Sequence, residues 1–496
     1  MSLTSDTLEL IKSAIQRPDE TLAKTISTAT GLVAYDLQAP AKNLYPFVTP
    51  LRNSVPRIGG GTGTATNWRQ VNAIIGSGFD AMGWVPEGQR SGQMSYSTSS
   101  KSATYVTIGE EDAATYEAIS AGRNFEDIQA RMTFRLLQKM MLKEEMAILA
   151  GNASLQLGTP AAPTLSGSGS GATLPAATYS VIVVALTLEG YQNSSLAAGV
   201  ATTKTVTGAD GKTFALNGGS SNKSTNATQA VTLGQTLFAS VTAIQGAVGY
   251  AWYVGTAGSE VLQAITTINS VSFSAPLASG TQAATAVTAD NSANPSYAYN
   301  GLLTTALLPG SNAYVNIMAT GTAGTGTPLT SSGRGSVVEI DNMFKSMWDN
   351  FELSPTVLYV NSQELKNITS KVLSNASGPL LRYDSPADGS KDVEITASGV
   401  VAFYYNPFAV NGGLRIPIKI HPRVPPGTII GWADNLPIQY QSNEVPNVAE
   451  VRTRQDYYQI GWPSVTRQRQ VGVYAEELLA VYAPFAMGVI GNIANG

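Results

Sequence analysis

The sequence contains no cysteine and a single histidine, His421. Without thiols there is no disulfide framework, no thiolate metal site and no cysteine nucleophile. The lone imidazole lies just before Pro422 in IKIHPRVPPG. It has no second histidine with which to build a metal centre, so its expected role is structural, and no cofactor or metal is expected. Charge is scarce as well: Asp, Glu, Lys and Arg make up 13% of the 496 residues, with a net charge of −4. That balance gives no general attraction to nucleic acid or acidic lipid, so any such contact has to be local. No run of about 18 consecutive apolar residues occurs, which excludes a spanning helix and leaves no membrane partner. The opening MSLTSDTLELIKSAIQ carries an early acid and no basic flank, unlike a secretory signal, so the expected setting is a cytoplasm.

Glycine is abundant, with 48 residues. A chain this poor in charge and rich in turns covers its surface with something else, and burial against identical copies would do so. Its length allows about three domains at roughly 150 residues each.

The one long uninterrupted helical pattern is NFEDIQARMTFRLLQKMMLKEEMAILAGN, residues 124–152. Asn124 is expected to cap it, Glu126 and Asp127 to charge its first turn, and Gly151 to end it. Such a helix is roughly 40 Å long at 1.5 Å per residue. Asp127, Arg131, Arg135, Gln138 and Glu145 share one side as a polar strip. Phe125, Ile128, Met132, Phe134, Leu136, Leu137, Met140, Met141 and Ile148 cover a wide apolar arc. A helix so apolar is clasped by other layers, either as the spine of a domain or as an ordinary core helix of an enzyme.

Before it, residues 5–16 have an amphipathic helical pattern, and the chain through Pro40, Pro46, Pro50 and Pro56 reads as extended. An arm draped over a surface fits, as does a disordered leader over 1–30. The glycine cluster IGGGTGTA (58–65) lacks the Gly-Lys-Ser/Thr of a phosphate loop. Residues 67–108 alternate polar and apolar groups around the polar tip GQRSGQMSYSTSSKS, which predicts a long two-stranded excursion. An isolated hairpin is marginal in water, so it is expected to lie on a neighbouring subunit.

After the helix the composition changes. Between residues 159 and 295 there is no arginine, and only Lys204, Lys212 and Lys223 are basic. Strand patterns at 179–188, 237–244, 250–254 and 261–265 predict an all-β sandwich inserted in a host, leaving and rejoining it near Leu157 and Tyr297, with Trp252 in its core. The host resumes at GLLTTALLPG. It continues with a helix over 337–350, a strand over 356–360, a helix capped by Asn361 or Ser362, and strands over 399–405, 416–420, 428–432, 450–453 and 472–482.

Nothing here assembles a reaction. Glu110, Glu111 and Asp112 adjoin one another, as do Glu476 and Glu477. Neighbouring acids on one strand face opposite ways, so they are expected to be solvated or salt-bridged rather than opposed across a cleft. Arg452, Arg454, Arg467 and Arg469 flank DYYQIGW, where they would touch phosphates on an inner surface or pair with acids of a neighbouring subunit.

Several stretches together resemble the major capsid protein of tailed bacteriophages, the Hong Kong 97-type shell fold. They are GWVPEGQ with the polar loop and TIGEEDA, the helix ending KEEMAILAGN, GLLTTAL, PTVLYVNSQELKNI, VPPGTIIGW, and the closing VGVYAEELLAVYAPFAMGVI. The resemblance implies an α+β shell subunit. Its parts would be an N-terminal arm (1–60), an extended loop (61–109), a peripheral domain with the spine helix (110–158), an inserted immunoglobulin-like or fibronectin-type sandwich (159–295), a return to the peripheral domain (296–335), an axial domain (336–449), and peripheral strands with a C-terminal return to the axial domain (450–496). It further implies a non-enzymatic protein forming pentamers and hexamers of an icosahedral shell around double-stranded DNA, assembled in a bacterial cytoplasm, with portal, scaffolding or decoration proteins as further partners. Trp84, Glu87, Arg90 and Lys101 of the extended loop are then the intersubunit contacts. Some relatives crosslink a lysine to an asparagine, but no acid near Lys101 in the sequence would activate it. The alternatives are an encapsulin-type shell holding enzyme cargo and a surface-binding module displayed by the host.

Overall fold

A computed structural model of the chain describes residues 47–75, 77, 83–123, 126–280, 282–332, 335–374, 382–384, 394–396, 401–409, 413–436 and 447–494. The helix expected over 5–16 lies outside these residues. The described chain is α+β and contains two mixed layers and a pair of facing β-sheets.

The first layer is the long helix on a four-stranded sheet. The helix runs Ile128–Ala150, about 35 Å at 1.5 Å per residue. It begins later than the sequence suggests. Asn124 lies outside the described residues, and the cap is Asp127, whose carboxylate accepts the Gln129 and Ala130 N–H groups at 3.0 and 3.1 Å. A short acid at this position reaches the free donors of the first turn. The sheet has the order Arg57–Ile58, Ala449–Gly461, Gln468–Val481, Val106–Thr115, with the first pair parallel and the others antiparallel. Met132, Leu136 and Met140 bury one stripe of the helix against Ala114, Val471, Val473 and Ala475. Each such side chain contributes about 1.5–3 kcal/mol, as an upper bound.

Two expectations about the helix faces fail. Phe134, placed in the apolar arc, is 57% exposed, and Glu145, placed on the polar strip, is fully buried. The sheet covers only one stripe at the N-terminal end. Toward the C-terminal end the helix sinks between both layers, so that Glu144, Glu145, Ile148, Leu149 and Ala150 are all buried.

The second layer is a six-stranded sheet with the order Tyr314–Ile317, Met487–Gly491, Ile429–Trp432, Val357–Val360, Leu414–Ile420, Phe403–Asn406. The helix Val338–Phe351 buries Ile340, Met343, Phe344 and Met347 in this layer's core. The helix Ser362–Ser374 starts where Asn361 Oδ1 accepts the Gln363 N–H at 3.0 Å. In the segment 296–335 the helix Leu302–Leu307 packs against the long helix, and the strand Tyr314–Ile317 pairs in parallel with Met487–Gly491 at the edge of the six-stranded sheet.

Between residues 158 and 290 the chain folds on itself. Strands Thr164–Ser168, Thr236–Ser240 and Ser270–Phe273 form one sheet, and Val261–Thr266, Gly249–Gly255, Ala177–Leu186 and Ala227–Val231 form another. Leu237 and Val271 of the first sheet share a core with Val181, Val183, Trp252 and Val254 of the second. The opposite face of the second sheet buries Ile182, Val184 and Tyr253 with Ala284 and Val287. A strand covered on both faces has no reason to alternate, which is why VIVVAL (181–186) is continuously apolar.

The chain leaves and rejoins the body along one stem. Asn294 N–H donates to Asn152 O and Gly301 N–H to Gly151 O, both at 2.8 Å. A Cβ on Gly151 would lie 2.5 Å from Tyr299 O, so only glycine lets the two segments approach this closely.

Candidate functional site

Two parts of the molecule stand apart from ordinary core packing: a hairpin with little to lie on, and a buried charged junction.

The hairpin pairs Ala65–Ile75 with Ser95–Thr104, from Ala65 opposite Thr104 to Ile75 opposite Ser95, with an irregularity between Val71 and Ala73. Among the described residues it gains no third strand. At its base the Trp68 ring meets Tyr482 edge-on, centroids 5.4 Å apart. Farther out apolar side chains face solvent: Trp84 is 89% exposed, Tyr96 67% and Met94 65%. Glu87, Arg90 and Lys101 are exposed and make no ion pair among the described residues, and Lys101 stands opposite Trp68 in the ladder. The hairpin thus carries all four predicted contact residues. Trp84, Glu87 and Arg90 sit together in the connection between its strands, and Lys101 lies apart on the second strand.

The four arginines of the closing strands have mostly intrachain surroundings. Arg454 Nε lies 2.5 Å from Glu476, and its guanidinium also donates to Gly63 O. Arg467 reaches Glu117 at 2.8 Å, Arg452 lies 3.8 Å from Glu450, and Arg469 is exposed. The acids expected from a neighbouring subunit are, for three of them, supplied by the same chain.

The junction lies where the segment after Thr49 meets the long helix. The short helix Pro50–Ser54 has no cap of its own. Glu145 caps it across 94 residues of sequence, accepting Leu51 N–H at 3.0 Å and Arg52 N–H at 2.7 Å. His421 closes the other side, with Nε2 2.5 Å from Glu145 Oε1. Its Nδ1 accepts the Arg423 N–H at 3.1 Å, so the hydrogen-bond network places the ring proton on Nε2, which donates to Glu145. Neighbouring Glu144 accepts from Arg52 Nε at 2.9 Å and from Arg57 and the Tyr457 hydroxyl. Arg57 also reaches Asp456 at 2.6 Å and stands 3.6 Å from Glu477, whose other oxygen accepts the Tyr299 hydroxyl at 3.0 Å.

Burial sets the electrostatics. It raises Glu477 above the usual carboxyl range against the opposing pull of Arg57 and of the Tyr299 hydrogen bond. It raises Tyr299 well above the phenolic range, with the nearby Glu477 adding to the effect, so Tyr299 stays a donor. At Asp456 burial acts the same way, but the hydrogen bond and charge of Arg57 outweigh it and hold the group below its usual range. Glu145 and His421 have no exposed side-chain surface to offer a substrate. The chemistry available here is mutual neutralisation and backbone capping across six separate stretches of the chain. Breaking such a buried set by removing one partner costs about 3–5 kcal/mol.

Sequence reasoning missed this junction. One local signal was available: the helix neighbours of Glu145 three and four residues away are Met141, Leu142, Ile148 and Leu149, all apolar, so no surface ion pair of the usual spacing could form.

No protein-family profile matches the chain, and no curated protein is detectably similar in sequence. Solved structures with a related outline include the capsid of a native GTA particle, at 8% identity and a TM-score of 0.42, covering 95% of this chain and 100% of the other. The capsid of Myoviridae phage XM1 aligns at 9% identity and 0.40, covering 95% and 100%. The holo-SrpI encapsulin complex from Synechococcus elongatus PCC 7942 aligns at 11% and 0.36, covering 95% and 97%. Similarity this low leaves the function to be argued from this chain's own residues.

Proposed function

We propose that this chain is the repeating subunit of a closed protein shell, a major capsid protein of the Hong Kong 97 type that encloses double-stranded DNA. The observation that carries the reading is the two-stranded hairpin with an 89% exposed tryptophan near its far end. A ribbon of two strands is marginal alone, and an exposed Trp with neighbouring Met and Tyr side chains is characteristic of a surface that another protein covers. A second copy is the natural cover, because a shell offers every hairpin the same neighbour. In this reading Trp84, Glu87, Arg90 and Lys101 contact the adjacent subunit. Arg469, and Arg452, Arg454 and Arg467 beyond their intrachain pairs, are available to phosphates on the inner wall.

The proposed division places the arm before residue 60, the hairpin as the extended loop, the long helix and its sheet as the peripheral domain, and the six-stranded sheet as the axial domain of pentamers and hexamers. The paired sheets between 159 and 295 are an immunoglobulin-like insertion with a passive role on the shell exterior. Portal, scaffolding or decoration proteins complete the set of partners, and no catalysis is assigned.

Electron microscopy of purified assemblies combined with nuclease protection tests the proposal. Icosahedral particles with protected double-stranded DNA are expected. Particles filled with protein cargo and free of DNA would replace the capsid reading with an encapsulin-type compartment. Removing residues 159–295 separates scaffold from insertion: shells are expected to persist, and loss of assembly would assign the insertion a structural part in the wall.

A further inference from the structure

The hairpin joins the body through two short connections, and one side chain of the four-stranded sheet touches both. On the incoming side the chain runs from the strand Arg57–Ile58 through residues 59–64 to the strand Ala65–Ile75. On the outgoing side Tyr105 alone separates Ser95–Thr104 from Val106–Thr115. The two connections meet where Tyr105 N–H donates to Thr64 O at 3.0 Å. Gly60 and Gly63 take left-handed φ values of 83° and 73°, with no atom near the place a Cβ would occupy. The incoming connection is therefore thinly packed and free to bend. A ribbon held this way has no rigid joint of its own.

Arg454 supplies the joint. The ladder between Ala449–Gly461 and Gln468–Val481 shifts register between Thr453 and Gln455, an irregularity that leaves Arg454 without a ladder partner and re-aims its side chain. Its Nε lies 2.5 Å from Glu476 Oε2 on the adjacent strand, and its Nη1 donates to Gly63 O at 2.9 Å. Its guanidinium carbon stands 5.7 Å from the centre of the Tyr105 ring, within cation–π range. An anchor in the sheet, the incoming connection and the outgoing connection thus meet on one guanidinium, whose planar fork fixes the donor directions. The Tyr105 ring is itself held in place. A Cβ on Gly61 would overlap its hydroxyl, so glycine lets the ring cross the incoming chain. That hydroxyl also shares a hydrogen bond of 3.1 Å with Thr66 Oγ1.

We propose that Arg454 is the positioning residue of the hairpin: it fixes the angle at which the hairpin leaves the body, and through that angle the place where Trp84 meets a second copy. The first half stands on the geometry of one chain. The second rests on the proposed shell, in which every hairpin has to reach its neighbour in the same way to close a surface of one curvature. Arg454 then governs the regularity of assembly, whereas Trp84 governs its strength.

The chain has no cysteine, so spin labels on Ser97→Cys in the hairpin and Lys139→Cys on the long helix, both exposed positions, report a single distance in the full chain. Pulsed electron resonance on the unassembled, doubly labelled chain is expected to give one narrow distance. In Arg454→Ala the population outside that distance is expected to rise about tenfold, the factor implied by loss of a hydrogen bond to a charged group. Tyr105→Leu removes the ring, keeps the Arg454 pair with Glu476, and is expected to widen the distribution too. In electron microscopy, Arg454→Ala assemblies are expected to vary in diameter where those of the parent chain are uniform. A distance that stays narrow in both variants, even beside a lowered unfolding midpoint, would overturn the assignment. Uniform particles from a chain whose distances have spread would overturn the link to assembly. A parent chain that forms no particles would sink the shell reading instead, and the distances alone would then decide the role of Arg454.

Discussion

Two tryptophans mark two ways of finishing a surface. Trp252 sits in the middle strand of a sheet between 158 and 290 with no exposure, and its indole N–H donates to Thr266 Oγ1 at 2.8 Å. Trp84 stands in the hairpin connection, 89% exposed. The region around Trp252 has its own interior: its strands pair with one another, its two sheets share a core, and it meets the body through a set of amides and through Leu188 and Val248, which join the body's core. The hairpin around Trp84 pairs its two strands but, among the described residues, has no second sheet with which to share a core. On the proposed reading, the difference separates a unit that satisfies itself from an extension that a second copy covers. That contrast, more than any single contact, is the argument for assembly.

The contrast can be tested at three sizes of effect. Trp252→Ala removes a fully buried aromatic and is expected to cost about 3–5 kcal/mol, read as a lower midpoint for the transition of the sheets in calorimetry. A loss within the noise would mean that the paired sheets do not depend on that core. Next is the seam between sheets and body. Asn492, held at φ 61°, accepts Asn269 N–H at 2.9 Å and donates to Asn269 Oδ1 at 3.0 Å and to Met318 O at 2.7 Å. Asn492→Ala forfeits these bonds in a left-handed conformation alanine resists, and about 1–3 kcal/mol is expected. It should appear as a splitting of the sheets' transition from that of the body. Smallest for the chain itself is Trp84→Ala, expected to change its unfolding free energy by no more than about 0.5 kcal/mol. Light scattering should nonetheless show the onset of assembly moved to at least about tenfold higher concentration, as loss of an aromatic anchor implies. Equal effects of Trp84→Ala and Trp252→Ala on chain stability would erase the distinction between the two regions.

Much of the local structure was legible in the sequence because it answers to local rules. GYAWYVG lies within the strand Gly249–Gly255, and the apolar spacing of Val338, Met343, Met347 and Phe351 falls on the helix Val338–Phe351. The buried junction was not legible, for a physical reason. Periodicity sees only one helix, and on that helix Glu145 shares a side with Arg131 and Arg135. Its true neighbours, Leu51, Arg52 and His421, are 94, 93 and 276 residues away. The strand Tyr314–Ile317 was not legible either, since a four-residue edge strand takes its position from its partner, Met487–Gly491. His421 was expected to be structural, and its geometry as a buried donor to Glu145 is of that kind. Its link to the capping of the segment after Thr49 is a product of the fold.

The most direct test is sedimentation velocity on the purified full-length chain at micromolar concentration, beside a variant lacking hairpin residues 65–104. The account predicts large, uniform, closed particles for the intact chain and none for the variant. A heat-resistant intact chain that sediments only as a compact monomer would contradict it.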